Sequence, residues 1–448
     1  MPKQLPLVSK PGILNFGNRI PIHDLCNEIP TQGLSLASSG QLGVSVVDGG
    51  TSRLRKRTPL GWGNADMSLV YQNFYLSGGV GEISGPSTIT LGAVTVEYPL
   101  STFTTVFFNG SATATIAPGQ TIISDPIPLE IPPNTIYWVR TYHTVPAPGQ
   151  VSPGFPKGSP TLDPLGLDLT NNGNNYFANG GDGSNHAADT SYLWVTDFTY
   201  PYGPSAVIGT PMGNIGYTPV VGIIGDSIIW GQGNNAAPGG SYLDYALHFA
   251  GIPFYNMADP AELGSSISNP SKLRNRMVFL SACSSIVWAF GTNDIFVGLQ
   301  SFATVRTNAL STIKMSTAYG APVWVCTTLP QTTSSDSWHS NSGQSPKTGN
   351  AVRLQWNAYL RAPASAGAGN SLAFDLTALN IKFGGLIDIA NLAETNPIGT
   401  VPIQGTYLLD ADRWYTIAPP SGATADGIHP ATGTHHFLQT FMPIGDFV

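Results

Sequence analysis

Three short segments carry residue types that together could run nucleophilic chemistry at an acyl carbon. Gly225-Asp226-Ser227-Ile228 follows directly on the apolar run VVGIIG (220–225). A serine at that place stands at the edge of a sheet and can open a helix, leaving its backbone N–H free to meet a developing oxyanion. Gly291-Thr292-Asn293-Asp294 follows the apolar run IVWAF in the same way. An asparagine there offers an uncharged amide donor for the same oxyanion. Asp426-Gly427-Ile428-His429-Pro430 lies near the C-terminus. A carboxylate three residues before a histidine can hold one imidazole nitrogen and leave the other to take a proton from a serine. Singly, each segment also reads as a common turn or helix cap, since Asp-Ser, Asn-Asp, Asp-Gly and His-Pro all suit such places. Taken together, in this order and at the ends of apolar runs, they make Ser227, Asp426 and His429 the candidate catalytic residues.

The elements that must position them come from the second half of the chain. VVGIIG, IVWAFG (286–291) and VWVCTTL (323–329) are continuous apolar runs, as strands covered on both faces are. SYLDYALHFA (241–250) has helical spacing, with Leu243, Tyr245, Ala246 and Phe249 as core positions, and 301–319 reads as a crossover helix. Strands alternating with helices predict an α/β domain over 216–448 with a mostly parallel sheet, and its site at the C-terminal ends of the strands.

Residues 1–215 have a different texture. TTVFF, Asn109-Gly110 and SATATI predict a β-hairpin with a type I′ turn. TIISDPIPLEI (121–131) and TIYWVRTYHTV (135–145) continue a pattern of short strands, which points to an all-β sandwich or jelly roll. Within it, 146–200 is a long Pro/Gly/Asn-rich segment, and its GGDGSN stretch reads as a turn-rich surface loop rather than a calcium site.

Composition narrows the function classes. Of 448 residues only 10% are charged, while 42% are hydrophobic, so the chain can bury cores and is not disordered. The net charge of −7 gives no field toward nucleic acid or an anionic membrane, and no apolar stretch is long enough to span one. Arg53, Arg55, Lys56 and Arg57 form the one basic cluster, read as a solvated loop. Three cysteines, Cys26, Cys283 and Cys326, are too few for a disulfide framework, and the last two sit in apolar runs as core thiols. His143, His186, His248 and His339 lack metal-ligand spacing, and neither His435 nor His436 has a carboxylate three residues before it. No metal or other cofactor is expected. The start, MPKQLPLVSKPGIL, has no apolar run behind its lysine, so no secretory signal is expected in it.

The blocks GDS-I, G-T-N-D and D-G-I-H-P closely resemble those of the SGNH hydrolase superfamily, which includes the GDSL esterases. The resemblance spans roughly residues 218–440 and takes in TTLPQTTSSDSW (327–338), Gln344, Arg353, Asn357 and Asp410 to Trp414. The segment VFFNGSATATIAPGQTIISDPIPLEI likewise resembles the β-sandwich module that precedes the hydrolase domain in one subgroup. The resemblance implies an SGNH-type, flavodoxin-like domain after an all-β module. It makes Ser227 the nucleophile, His429 the general base and Asp426 its orienting partner. It assigns the oxyanion hole to the Ser227 N–H, the Asn293 side chain and one backbone N–H of a further block. There the usual glycine, five residues after an asparagine, is replaced. Counting from Asn256 gives Ala261, and Gly264 is the nearest true glycine. The implied activity is a serine esterase removing short acyl groups, most simply acetyl, from a carbohydrate. Two other readings compete: a phage virion esterase trimming a host's surface polysaccharide, and an inert carbohydrate-binding or structural protein. The expected partner is an acylated carbohydrate, with a homo-oligomer or virion assembly beside it, and the expected location is extracellular, either secreted or on a phage particle.

Overall fold

The computed structural model describes the chain except residues 1–34, 39, 42–44, 48–49, 59–62, 78, 147–151, 155–183, 192–201, 213–218, 235–240, 341, 395–412, 415–422 and 448. It divides into two compact units, Met1–Tyr75 with Ser84–Lys157 and Asn171–Ile215, and Leu76–Ile83 with Gly158–Thr170 and Gly216–Val448. Most of the Pro/Gly/Asn-rich segment, most of GGDGSN, and Cys26 lie outside the described residues.

Regular structure in the first unit is β-strand among the described residues. Asn64–Gln72 lies between Ala206–Pro211 and Thr121–Ile123, antiparallel to both. In a second antiparallel sheet Ile136–Thr144 lies between Gly50–Arg57 and Ile89–Glu97. Apolar side chains from both sheets, among them Leu69, Tyr71, Val94, Val96, Val139 and Val207, form one buried cluster.

Two sequence expectations are corrected here. Asn109 and Gly110 both have positive φ, +52° and +78°, as a type I′ turn requires. Yet the expected hairpin closes with a single bridge, Phe108 to Ser111. Beyond it Phe103–Thr105 and Ala114–Ile116 each pair with Ile89–Glu97 instead of with each other. The basic cluster is also no solvated loop. It belongs to the strand Gly50–Arg57, where Arg53 is buried opposite Arg140, and both guanidinium groups donate to one Glu97 oxygen at 2.9 Å. Alternation puts Arg53, Arg140 and Glu97 on the sheet face away from Val94, Val96 and Val139, where residues 186–189 cover them and the shared carboxylate offsets their burial.

The second unit holds five parallel strands: Val221–Gly225, Phe254–Asn256, Ser285–Ala289, Val323–Cys326 and Phe383–Ile387. Numbered in chain order, they pair as 2-1-3-4-5. This is the flavodoxin-like order of a doubly wound sheet, and its binding crevice lies where the order reverses, between the first and third strands. The first, third and fourth strands are buried at every residue. Helices supply the cover, including Tyr242–Phe249, Phe302–Ser316 and Thr432–Gln439. Leu243, Tyr245 and Ala246 are buried as expected, but Phe249 is 61% exposed. The inward stripe runs Tyr242, Leu243, Ala246, Leu247, so the helix's last residue falls off its apolar face.

Candidate active site

Ser227 and Asn293 both lie at the reversal point. Each follows its strand within a few residues and stands in the first turn of a short helix, Ser227–Trp230 or Thr292–Phe296. Asp226 caps the first helix, its carboxylate accepting the Ile228 N–H at 3.0 Å. That leaves the Ser227 N–H outside the described hydrogen bonds. Burial first, and the neighbouring Asp294 after it, push the Asp226 carboxyl up to about 7 against the pull of the Ile228 N–H and His429.

Ser227 Oγ lies 2.9 Å from His429 Nε2. His429 Nδ1 lies 2.6 Å from Asp426 Oδ2. The other Asp426 oxygen accepts the backbone N–H groups of Ile428 and His429, both at 2.8 Å. One carboxylate therefore shapes its own turn and orients the ring. Burial pushes the Asp426 carboxyl up, but the imidazole and the two backbone donors outweigh it and hold it well below the usual carboxylate range. The proton can thus pass from Ser227 to Nε2 while Asp426 stays ionised.

The turn is clamped from outside as well. Gly427 O accepts from the Thr332 N–H at 3.0 Å and from Trp414 Nε1 at 3.2 Å. Gln344 pairs with both backbone groups of Trp414, Nε2 to O at 2.9 Å and N to Oε1 at 3.0 Å. Gly427 has φ +74°, and a Cβ there would run into Thr332 O and the Trp338 ring. Only glycine suits both conditions.

The oxyanion candidates are arranged differently. Asn293 Nδ2 donates to Glu262 O at 2.9 Å, keeping its second hydrogen. Ala261 has φ +66°, the left-handed conformation that favours the glycine usual at this place. Its N–H enters none of the described hydrogen bonds. Gly264, the alternative, does not qualify: its N–H is bound to Asp294 Oδ2 at 2.7 Å, with the Ser265 N–H on Oδ1 at 3.0 Å. Beneath this loop Arg276, fully buried, grips Glu262 with two hydrogen bonds of 2.8 Å and donates to Met257 O at 3.3 Å. Removing one partner of such a pair costs about 3–5 kcal/mol. Arg276 and Glu262 escaped the sequence reading, since each stands among other polar or turn-forming residues, in SKLRNRMVFL and ADPAELG.

His435 and His339 stand apart from this arrangement. His435 is buried and its Nδ1 accepts the Tyr242 N–H at 3.2 Å. His339 is exposed against the Asp336 carbonyl. Cys283 and Cys326 are buried thiols, each pushed up to about 12 by burial. Among the described residues no group of three or more His, Cys, Asp or Glu is placed to hold a metal ion. No helix among them is long and apolar enough to cross a membrane.

Several solved structures are remotely similar to this chain. A family two carbohydrate esterase from Clostridium thermocellum, in complex with cellohexaose, is 10% identical, with 91% of this chain and 96% of that one covered and a TM-score of 0.33. A member of the lipolytic protein G-D-S-L family from Veillonella parvula is 17% identical over 50% of this chain and 95% of that one, with a TM-score of 0.31. The aryl esterase of M. smegmatis is 12% identical over 50% and 95%, again at 0.31. Likenesses this remote carry no weight for activity or substrate. No family model and no curated protein sequence matches the chain.

Proposed function

We propose that this chain is an SGNH-type serine ester hydrolase working through an acyl-enzyme. The observation that carries the reading is the unbroken Ser227–His429–Asp426 chain, at 2.9 and 2.6 Å, at the reversal point of the sheet. Ser227 Oγ attacks the ester carbonyl as His429 Nε2 takes its proton, and the imidazolium formed is stabilised by Asp426. The tetrahedral oxyanion is met by the Ser227 N–H, the Ala261 N–H and the free hydrogen of Asn293 Nδ2. His429 then protonates the leaving alcohol, and the same steps with water release the acid. We assign the substrate as an O-acetylated carbohydrate, on the strength of the sequence resemblance, and take the first unit's two sheets as its β-sandwich module.

The test is release of p-nitrophenol from p-nitrophenyl acetate and butyrate by wild type and Ser227→Ala, together with acetate release from an acetylated polysaccharide. The variant is expected to lose roughly 10⁴-fold or more of the wild-type rate with its fold intact. Turnover retained by Ser227→Ala would sink the reading. Activity on simple esters but not on the polysaccharide would remove only the carbohydrate assignment.

A further inference from the structure

We infer that Glu82, far upstream of the other site residues in sequence, is a positioning residue for the oxyanion donors; the inference rests on the serine-hydrolase reading above. Glu82 lies in a hairpin formed by Phe74–Ser77 and Gly81–Ser84. The hairpin's residues Leu76–Ile83 belong to the second unit, apart in sequence from the rest of it.

The helix Arg274–Leu280 explains why a carboxylate is needed there. Its N-cap residue is Leu273, which offers no side-chain hydrogen bond to the first turn. Glu82 makes good that lack from a distance: Oε2 accepts the Asn275 N–H at 2.8 Å, and Oε1 accepts the Arg276 N–H at 2.7 Å. Oε1 also faces Arg276 Nε at 3.4 Å. The backbone and the guanidinium of Arg276 are thus both fixed by one side chain, itself buried.

From Arg276 the contacts run to the proposed oxyanion donors. Its paired hydrogen bonds hold the Glu262 carboxylate. Glu262 follows Ala261 in the chain, and its carbonyl holds Asn293 Nδ2. The hairpin also lies directly on this loop. A Cβ at Gly81, where φ is +81°, would stand 3.0 Å from Glu262 Oε1, and one at Gly79 would stand 3.3 Å from Ala261 O. Glu82 touches no reacting atom, so its action is indirect. Oxyanion donors strengthen in the transition state, so their displacement lowers kcat and leaves KM nearly unchanged.

The experiment compares Glu82→Ala and Glu82→Gln with wild type in the full chain. It reads kcat and KM on p-nitrophenyl acetate, inhibition by phenylboronic acid, which forms a tetrahedral adduct with a serine, and thermal unfolding. Glu82→Ala is expected to lose roughly 10–100-fold in kcat, part of the loss seen when one oxyanion donor is removed. KM is expected within about twofold, with inhibition by the boronic acid weakened in step with kcat. Glu82→Gln is expected between the two proteins, since its amide oxygen can still accept one of the two N–H groups. It carries the test alone should Glu82→Ala fail to fold. Wild-type kcat in a folded variant of lowered melting temperature would overturn the inference, as would a loss confined to KM. Absence of Ser227-dependent turnover in wild type would instead overturn the serine-hydrolase reading, and this inference with it.

Discussion

The turn from Asp426 to His429 and the loop from Asp259 to Ser265 serve the same proposed reaction, yet they are held in opposite ways. The turn is organised chiefly by a side chain of its own, with Thr332 and Trp414 clamping Gly427 O from outside. Asp426 binds two backbone N–H groups of its own turn and the ring it orients. Its charge is stabilised, and its carboxyl lies low. The loop has no such local organiser. Its backbone is fastened to Asp294 and to the Asn293 amide, and Glu262 to Arg276, all from other segments. Here carboxyls are pushed up: Glu82 to about 7 and Asp259 to about 8, with burial the first cause in each. A short local motif holds the proposed proton relay, whereas a buried, long-range charge network holds the proposed oxyanion donors.

If that contrast is right, the largest single loss outside Ser227 belongs to the turn. Asp426→Asn is expected to lower kcat by roughly 10⁴-fold, because an amide favours the wrong imidazole tautomer. KM and the circular dichroism spectrum are expected to stay close to wild type, since the turn's backbone donors can still be accepted by the amide oxygen. A loss below about tenfold would show that the relay does not depend on this carboxylate. Asn293→Ala is the matching test of the loop side, with an expected fall in kcat of roughly 10²–10³-fold. An unchanged kcat there would take Asn293 out of the oxyanion hole and leave only backbone donors.

The same contrast governs what the sequence let one read. Asp426 and His429 are legible because an i, i+3 carboxylate and imidazole can meet through local geometry alone. Ser227 and Asn293 are legible because each directly follows an apolar run of strand length. The second strand, Phe254–Asn256, is only three residues long, and the fifth, Phe383–Ile387, contains two glycines and is mostly half-buried. Neither offers a run of apolar residues long enough to stand out from its surroundings. Arg53 misled for a related reason. Four basic residues close together read as a wet loop, and nothing local reveals that Glu97 and Arg140 wait across the sheet. Glu82 is the extreme case, since its partners Asn275 and Arg276 lie nearly two hundred positions away. Periodicity and motif spacing see neighbours in sequence; a buried ion-pair network is made of neighbours in space.

The smallest effect expected concerns stability rather than rate. Asp226, Asp244 and Glu82, all pushed up to about 7, and Asp259, pushed up to about 8, hold their protons to higher pH folded than unfolded. In the unfolded chain they ionise in the ordinary carboxylate range near pH 4. Folded-state values that are raised give stability fully present below that range and lost as pH climbs toward about 8. Asp426 has the opposite sign: its contribution is present above the ordinary range and disappears only in strong acid. The melting temperature should therefore fall between about pH 5 and pH 9. Asp259 is the cleanest group on which to test the cause, because burial and the neighbouring Glu262 outweigh the pull of Arg276 and the Gly81 N–H. Asp259→Asn replaces a neutral carboxyl with a neutral amide at pH 5, where the two proteins should melt together. At pH 9 the variant has no buried charge to form at that position, so it should melt above wild type. Parallel curves for the two proteins across the range would mean that Asp259 ionises as freely folded as unfolded, and the contrast between turn and loop would then rest on Glu82 and Arg276 alone.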